Sequence, residues 1–181
     1  MTRIIGGAAR GRRLRTPPGT ATRPTADRVR EALFSSLESE LGTLSGLRVL
    51  DLFAGSGALG LEALSRGAGS VTFVDAAQPA IQAINANLQA LRATAAVKRS
   101  DALRFLSHAS HSAAQYDLVF LDPPYRQAER LAPLLSEALP AVLAPGAVAV
   151  AESDRRAPLA LDLPLHDERR YGDTLIRIYG P

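Results

Sequence analysis

The sequence predicts an α/β fold: a Rossmann-like, doubly wound and mostly parallel sheet with a small basic extension at its N-terminus. Three observations lead to this prediction. Short apolar runs alternate with amphipathic helical segments, a glycine-rich loop follows the first of these runs, and the first 30 residues are rich in arginine. Repeated strand–helix units favour parallel strands joined by right-handed crossovers. We place the extension at residues 1–45 and the α/β domain at residues 46–181.

The extension is predicted to contain a short hairpin and one helix. Ile4-Ile5 and Leu14 flank a glycine-containing turn, and Pro17-Pro18-Gly19 forms a second turn. Thr25 fits the N-cap position of a helix that runs to about Leu41. The apolar residues of this helix recur at four-residue spacing, at Val29, Leu33, Leu37 and Leu41.

The α/β domain is predicted to contain seven strands. Five apolar runs indicate strands at 49–53, 70–74, 96–98, 118–121 and 148–151. Two more strands are expected at 161–163 and 175–179, before and after the Gly172-Asp173 turn. Helices are predicted from the glycine loop to about Arg66, after Pro79, and over 131–143, where Pro145-Gly146 ends the last one.

Length and composition narrow the class of protein. With 181 residues, 46% hydrophobic and 22% charged, the chain is typical of one globular domain. It has no cysteine, which excludes disulfides, thiolate metal sites and cysteine nucleophiles. No apolar stretch approaches the ~20 residues that a membrane span needs, and no secretory signal is evident. We therefore expect a cytoplasmic monomer that does not bind membranes.

Charge is distributed unevenly along the chain. Residues 1–30 carry a net charge of +7, whereas the remainder carries −4. A basic arm on a mildly acidic body favours a polyanionic partner, because arginine side chains match phosphate oxygens. Four arginines of this arm are the first candidates for contact with nucleic acid: Arg3, Arg10, Arg12 and Arg13. An organelle transit peptide is the alternative, but glycines and prolines interrupt any amphipathic helix here.

The glycine loop has the context of a nucleotide-binding motif. Asp51 lies in a strand, and the loop that follows contains G-x-G-x-x-G, with Phe53, Gly55 and Gly57 as candidate cofactor contacts. Asp75 ends the next strand and is placed to bond ribose hydroxyls. This pattern fits NAD as well as S-adenosylmethionine. Asp51 favours the second, since a carboxylate would repel a pyrophosphate but can help to hold a cationic methionine end.

Asp101 and Ala102 follow the third strand of the domain. In this position Asp101 could bond the adenine amino group of a cofactor. It could equally cap the N-terminus of a helix that begins at Ala102.

The turn formed by Asp122, Pro123, Pro124 and Tyr125 predicts the reaction. It follows the apolar run 118–121 and therefore lies at the carboxyl end of a buried strand. Asp122 and the carbonyl of Pro123 can accept the two N–H bonds of an aromatic amine, which frees the nitrogen lone pair for methylation. Tyr125 can stack on the base, and the fixed φ angles of both prolines stiffen the turn. A proline-stiffened turn without catalytic function is the structural alternative.

Three segments together resemble the RsmD family of bacterial 16S rRNA guanine-N2 methyltransferases. They are the block from Arg23 to Phe34, the segment from Asp51 to Ala68, and the Asp122 turn. The resemblance implies a class I fold with a seven-stranded sheet, S-adenosylmethionine as cofactor, and a guanine in the small ribosomal subunit or its assembly intermediate as substrate. It also implies that Arg23, Thr25 and Arg30 face the RNA. Asp75 departs from the glutamate expected there, and Ser35-Ser36 replaces a stretch that usually contains asparagine.

Other functions remain open on the residues alone. An adenine-N6 or other amino methyltransferase acting on DNA or a different RNA would use the same turn. A non-catalytic RNA-binding assembly factor could retain the fold, although the intact Asp122 and glycine loop argue against it. An NAD oxidoreductase lacks a proton-relay pair in a suitable place. We expect no metal site, since His108, His111 and His166 have no evident further ligands.

Overall fold

The extension forms the hairpin and the helix that the sequence predicts. The computed structural model describes residues 2–18 and 27–180. Strands β1 (Thr2–Arg3) and β2 (Arg13–Leu14) pair in antiparallel fashion, and helix α1 spans Asp27–Leu41. Gly19 and the predicted N-cap Thr25 lie outside the described residues.

The main sheet has seven strands, as expected. They are β3 (Arg48–Leu52), β4 (Ser70–Asp75), β5 (Ala96–Arg99), β6 (Tyr116–Leu121), β7 (Leu143–Asp154), β8 (Leu165–Tyr171) and β9 (Thr174–Tyr179). Their spatial order is β5-β4-β3-β6-β7-β9-β8. Strands β3 to β7 are parallel, and β9 runs antiparallel to both of its neighbours. The chain winds outward from β3 on one side and from β6 on the other, so a topological switch point lies between these two strands.

Four helices connect the parallel strands. They are α2 (Ala58–Ser65), α3 (Gln78–Leu91), α4 (Ala102–His111) and α5 (Ala128–Ala138). Alternate strand residues supply two apolar clusters, one on each face of the sheet. Within residues 2–18 and 27–180, every helix is too short or too polar to cross a membrane.

Two predictions near the C-terminus are corrected: the end of one helix and the position of one strand. Helix α5 ends at Ala138 and passes into a 3-10 turn, because Pro140 lacks the backbone N–H that would continue it; residues 143–146 belong to β7. Residues 161–163 do not form a strand: Leu161 is buried beneath α5, and the strand before the turn is β8. This edge strand is rich in charged side chains and has no buried residue, so it lacks the apolar alternation that would have predicted it.

A buried carboxylate joins the extension to the α/β domain. Glu62 of α2 is fully buried and accepts hydrogen bonds from the backbone N–H groups of Ile5 and Gly6, both at 2.7 Å. It also accepts a hydrogen bond from Arg66 Nε at 2.8 Å. Two backbone N–H groups of the hairpin thus gain a hydrogen-bond acceptor, and Arg66 balances the buried negative charge of Glu62.

The last turn of α2 completes this junction. The hydroxyl of Ser65 donates to the carbonyl of Gly6 at 2.6 Å, and the Ser65 carbonyl accepts from the N–H of Ala8 at 2.7 Å. Gly7 has φ +74°, and a Cβ there would lie 1.8 Å from the Ser65 carbonyl oxygen. Only glycine fits this approach of hairpin to helix.

Arg66 extends the junction to helix α1. Its guanidinium donates to Glu38 at 3.1 Å and lies 5.0 Å from the ring centroid of Phe34. Phe34 in turn packs on Phe120 of the central strand β6, with ring centroids 5.6 Å apart. The extension and the sheet therefore share one apolar cluster. The domain boundary at residue 45 stays a prediction.

Candidate active site

The ends of three neighbouring strands bring the candidate acids to one edge of the sheet. Leu52 of β3 is in register with Val74 of β4 on one side and with Leu121 of β6 on the other. Asp75 directly follows Val74, and Asp122 directly follows Leu121. Both acids therefore flank the loop that leaves β3, at the carboxyl edge where parallel sheets bind ligands.

The glycine loop has the backbone geometry that its sequence requires. Gly55 and Gly57 have φ of +55° and +78°, which side chains other than glycine rarely adopt. Gly60 lies against β4, where an added Cβ would be 2.3 Å from the ring of Phe73. Phe53 also has a positive φ of +70°, an uncommon conformation for an aromatic residue and one that recurs at ligand sites.

Asp51 is buried behind this loop and is 3% exposed. Its carboxylate accepts the backbone N–H of Gly60 at 2.9 Å, which fixes the start of α2 against β3. Burial raises the pKa of Asp51 to about 7, against the opposing effect of the Gly60 hydrogen bond, and the charge of Asp75 raises it further. A cation bound beside Asp51 would offset this cost of burial.

Asp75 supports the loop with both carboxylate oxygens. One accepts the N–H of Gly55 at 2.9 Å and the other accepts the N–H of Ala77 at 2.8 Å. Each oxygen can accept a further hydrogen bond, so Asp75 can hold the loop and still receive ribose hydroxyls. The shorter side chain, where the family resemblance led us to expect glutamate, suits this dual role.

Asp101 caps the N-terminus of helix α4, which is one of the two roles that the sequence predicted for it. Its carboxylate accepts the N–H groups of Leu103 and Arg104 at 3.0 and 3.2 Å. Asp101 is exposed and Ala102 is buried beneath it. Both cap hydrogen bonds use the same carboxylate oxygen of Asp101, and the cap does not use the other. Contact of Asp101 and Ala102 with a cofactor stays a prediction.

The predicted catalytic turn combines one buried proline with residues that reach the surface. Pro123 is buried, whereas Asp122 and Pro124 are exposed and Tyr125 is half-buried. The carbonyl of Pro124 accepts the N–H of Gln127 at 2.8 Å and closes a short 3-10 turn that begins at Tyr125. The carboxylate and the aromatic ring therefore stand on a rigid backbone at the edge where the cofactor loop also ends.

Asn87 is a site residue that the sequence analysis missed. It lies in α3, is 1% exposed, and its amide group bonds both backbone groups of Arg15: Oδ1 accepts the N–H at 2.7 Å and Nδ2 donates to the carbonyl at 2.9 Å. Nδ2 also donates to the carbonyl of Ser56 in the glycine loop at 3.0 Å. One side chain thus joins the extension to the cofactor loop. The sequence did contain one indication of this role, because Asn87 is a polar residue on the apolar face of α3 that carries Ile84 and Leu88.

The arginines of the extension divide into exposed and buried groups. Arg3, Arg10, Arg12 and Arg13 are exposed. Arg12 donates to the carbonyl of Ala90 at 2.6 Å. Arg23 and Thr25, two residues of the block expected to face RNA, lie outside the described residues.

Arg30 differs from these expectations. It is only 4% exposed, and its guanidinium donates to the carbonyl of Arg3 at 2.8 Å and to Asp27 at 2.9 Å. Burial lowers the pKa of Arg30, although nearby acids oppose the effect. A guanidinium enclosed between the hairpin and α1 cannot reach a phosphate from this position. Its contacts instead hold the two parts of the extension together.

The chain is similar to several known proteins along nearly its whole length. A profile of the family described as conserved hypothetical protein 95 matches residues 2–180. A Bacillus subtilis protein provisionally named rRNA methyltransferase YlbH is 41% identical over 98% of this chain and 97% of its own length. Ribosomal RNA small subunit methyltransferase D of Escherichia coli K12 is 38% identical over 98% of this chain and 88% of its own.

A solved structure extends the similarity to three dimensions. An Escherichia coli protein provisionally named methyltransferase yhhF superposes with a TM-score of 0.81 and 39% identity, over 98% of this chain and 96% of that one. The likeness confirms the predicted Rossmann-like methyltransferase fold.

The raised pKa of Asp51 predicts how stability depends on pH. An acid whose pKa is higher in the folded state favours folding while it is protonated, so its contribution is full below pH ~4 and is lost as pH rises through about 7. We expect the free energy of unfolding, measured by urea denaturation, to show this decline in the wild-type protein and to lack it in Asp51→Asn. Parallel pH curves for the two proteins would contradict the assignment.

The contacts of Asn87 predict a defect in cofactor binding. Asn87→Ala removes three hydrogen bonds and should cost about 2–3 kcal/mol of stability. Because one of these bonds holds the glycine loop, the Kd for S-adenosylmethionine, measured by calorimetry well below the melting temperature, should rise about tenfold, or ~1.4 kcal/mol.

Asn85→Ala is the matched control, since Asn85 is exposed on the same helix. It should leave the Kd unchanged. A folded Asn87→Ala protein that bound the cofactor as tightly as this control would show that the bond to Ser56 does not position the loop.

Proposed function

This chain belongs to the family described as conserved hypothetical protein 95, and we propose that it transfers a methyl group from S-adenosylmethionine to the exocyclic N2 amine of a guanine in 16S rRNA. The observation that carries the proposal is the position of the Asp122 turn. It ends β6, the strand beside β3, whose glycine loop forms the nucleotide-binding side of the same edge.

The residues around the glycine loop fit the cofactor. Gly55 has no neighbour within 4 Å of where a Cβ would lie, so a ligand can approach the backbone there. Asp75 retains acceptor capacity for ribose hydroxyls, and the buried charge of Asp51 suits the cationic methionine end. When bound, S-adenosylmethionine supplies a methyl group that its sulfonium has already activated.

Asp122 and Tyr125 prepare the acceptor. The lone pair of an aromatic amine is delocalised into the ring, so the nitrogen is a poor nucleophile. Hydrogen bonds to Asp122 and to the carbonyl of Pro123 favour a pyramidal nitrogen with a freer lone pair. An aspartate is too weak a base to remove a proton from the neutral amine first, but it can receive the proton that the methylated nitrogen releases. Positioning therefore supplies most of the catalysis, and Tyr125 stacks on the base.

The basic extension supports a nucleic acid as the substrate. The exposed Arg10 and Arg13 have no ion-pair partner among residues 2–18 and 27–180, so they are available to phosphates. The relatives named for rRNA or small-subunit methylation favour ribosomal RNA over DNA. We extend this to a guanine of the small subunit or its assembly intermediate, modified in the cytoplasm by a monomeric enzyme.

Analysis of the methylated nucleoside tests the proposal. The protein is incubated with labelled S-adenosylmethionine and unmethylated small subunits, free 16S rRNA or DNA, and the product is digested and identified. We expect N2-methylguanosine from a ribosomal substrate. Methylation of adenine or of DNA alone would support the alternative amino methyltransferase, and no transfer to any substrate would support a binding factor.

Asp122→Ala should separate binding from chemistry. The loss of the carboxylate removes an interaction with the reacting amine, so we expect kcat to fall by at least ~10²-fold. The Kd for S-adenosylmethionine should stay unchanged, because Asp122 lies on the acceptor side of the edge. Glu129→Ala, which alters an exposed acid at the start of α5, is the control. Turnover near the wild-type rate in Asp122→Ala would contradict the proposed role of Asp122 in catalysis.

A further inference from the structure

A second group of arginines lies far from the N-terminal extension in sequence. Arg155 and Arg156 follow the end of β7, Arg170 lies near the end of β8, and Arg177 lies in β9. We name these four residues the edge arginine cluster. They line one concave site of about 330 Å³, and among its described lining residues only Glu168 is acidic. These four arginines have no role in the methyl transfer proposed above.

Strand register places the cluster beside the catalytic turn. Arg177 is opposite Ala151 of β7, and Ala151 is opposite Leu121, the residue before Asp122. Two strand spacings, about 10 Å, therefore separate the backbones of Arg177 and Leu121. Arg170 lies further toward the carboxyl edge, since its partner Leu175 is opposite Ser153.

The cluster and the extension lie on opposite faces of the sheet. Ile176 and Ile178 belong to the apolar cluster that the extension covers. Arg177 lies between them in the strand and therefore points to the other face. A nucleic acid that brings a base to Asp122 could thus meet basic side chains on both sides of the catalytic turn.

Ion pairs orient the cluster without neutralising it. Glu168 accepts from Arg170 at 2.8 Å and from Arg177 at 2.9 Å, and these bonds hold its pKa below the ordinary value. Asp173 pairs with Arg155 at 3.2 Å and with Arg156 at 3.6 Å.

Two carboxylates thus pair with four guanidinium groups, and Asp154, whose carboxylate accepts the backbone N–H of Arg156 at 2.9 Å, adds a third negative charge. These groups together keep an excess of one positive charge, and the guanidinium groups keep unused N–H donors. Arg156 and Arg170 are 72% and 73% exposed, so their donors face solvent. Glu168 holds the guanidinium of Arg170 through two hydrogen bonds, at 2.8 and 3.3 Å, so this group loses less freedom when it binds a phosphate.

We propose that the edge arginine cluster is a second RNA-binding site, which holds backbone phosphates of the strand whose base enters the catalytic turn. The inference rests on the proposed function, because it takes RNA as the substrate. It assigns a positioning role to residues outside the extension: the extension binds RNA on one face of the sheet, and the cluster binds the flanking phosphates on the other.

The test compares Arg156→Gln/Arg170→Gln with the wild-type protein. Arg48→Gln is the matched control, since Arg48 is also exposed and ion-paired, with Asp117 at 2.8 Å. It begins β3 and therefore lies at the amino end of the parallel strands, away from the catalytic turn. The measurements are the binding of free 16S rRNA over a salt series, the KM for unmethylated subunits, kcat, the Kd for S-adenosylmethionine and the melting temperature.

We expect the slope of log affinity against log salt to decrease by about 2 in the double variant, one for each lost phosphate contact. The KM should rise at least tenfold, with kcat and the cofactor Kd within twofold of wild type. Arg48→Gln should match the wild type. Arg156→Lys/Arg170→Lys keeps both charges and should recover most of the slope, which separates phosphate binding from a loss of folding.

Three results would overturn the inference. One is an unchanged salt slope in the double variant, and another is an equal loss in Arg48→Gln. The third is a defect on assembled subunits but not on free rRNA, which would identify a ribosomal protein as the contact. If the wild-type protein methylated no ribosomal substrate, the proposed function would fail, and the RNA-binding series would still decide whether the cluster binds phosphates.

Discussion

The carboxylate of Glu62 is the interaction on which the arrangement of the site depends. It is buried in α2, the helix that begins at the glycine loop, and it binds two amides of the N-terminal hairpin as well as Arg66. Removing this carboxylate leaves two part-buried amides of the hairpin without a partner and leaves Arg66 with Glu38 alone, which should cost on the order of 3 kcal/mol. The hairpin is therefore attached to the same helix whose first turn fixes the cofactor loop.

Two further contacts join the extension to the candidate active site. Asn87 bonds the backbone of Arg15 and the glycine loop at once, and Phe34 of α1 packs on β6, the strand that ends in the catalytic turn. The parts that we assign to RNA, cofactor and chemistry thus share one framework. If RNA bound to the extension changes the affinity of the loop for the cofactor, the cofactor must change the affinity for RNA by the same factor.

Local sequence patterns predicted most of the fold. They did not predict the contacts between segments that are far apart in the sequence. The parallel strands, the glycine loop and the position of Asp122 follow from apolar runs and turn residues, which act within a few positions of one another. Strand β8 was misplaced because its charged sequence has no apolar alternation. Arg30 was expected to face RNA because the family resemblance places it in the RNA-facing block, and a match of sequence does not report burial. The partners of Asn87 are 72 and 31 residues away, so only the fold reveals them.

Native-state amide hydrogen exchange tests most directly whether the extension and the α/β domain form one unit. If the Glu62 junction fuses them, the amides of Ile5 and Gly6 should exchange only through the opening that exposes α2 and the central strand β3, with nearly the same free energy as the amide of Leu50. Exchange of Ile5 and Gly6 at opening free energies several kcal/mol lower, while Leu50 stays protected, would contradict this account.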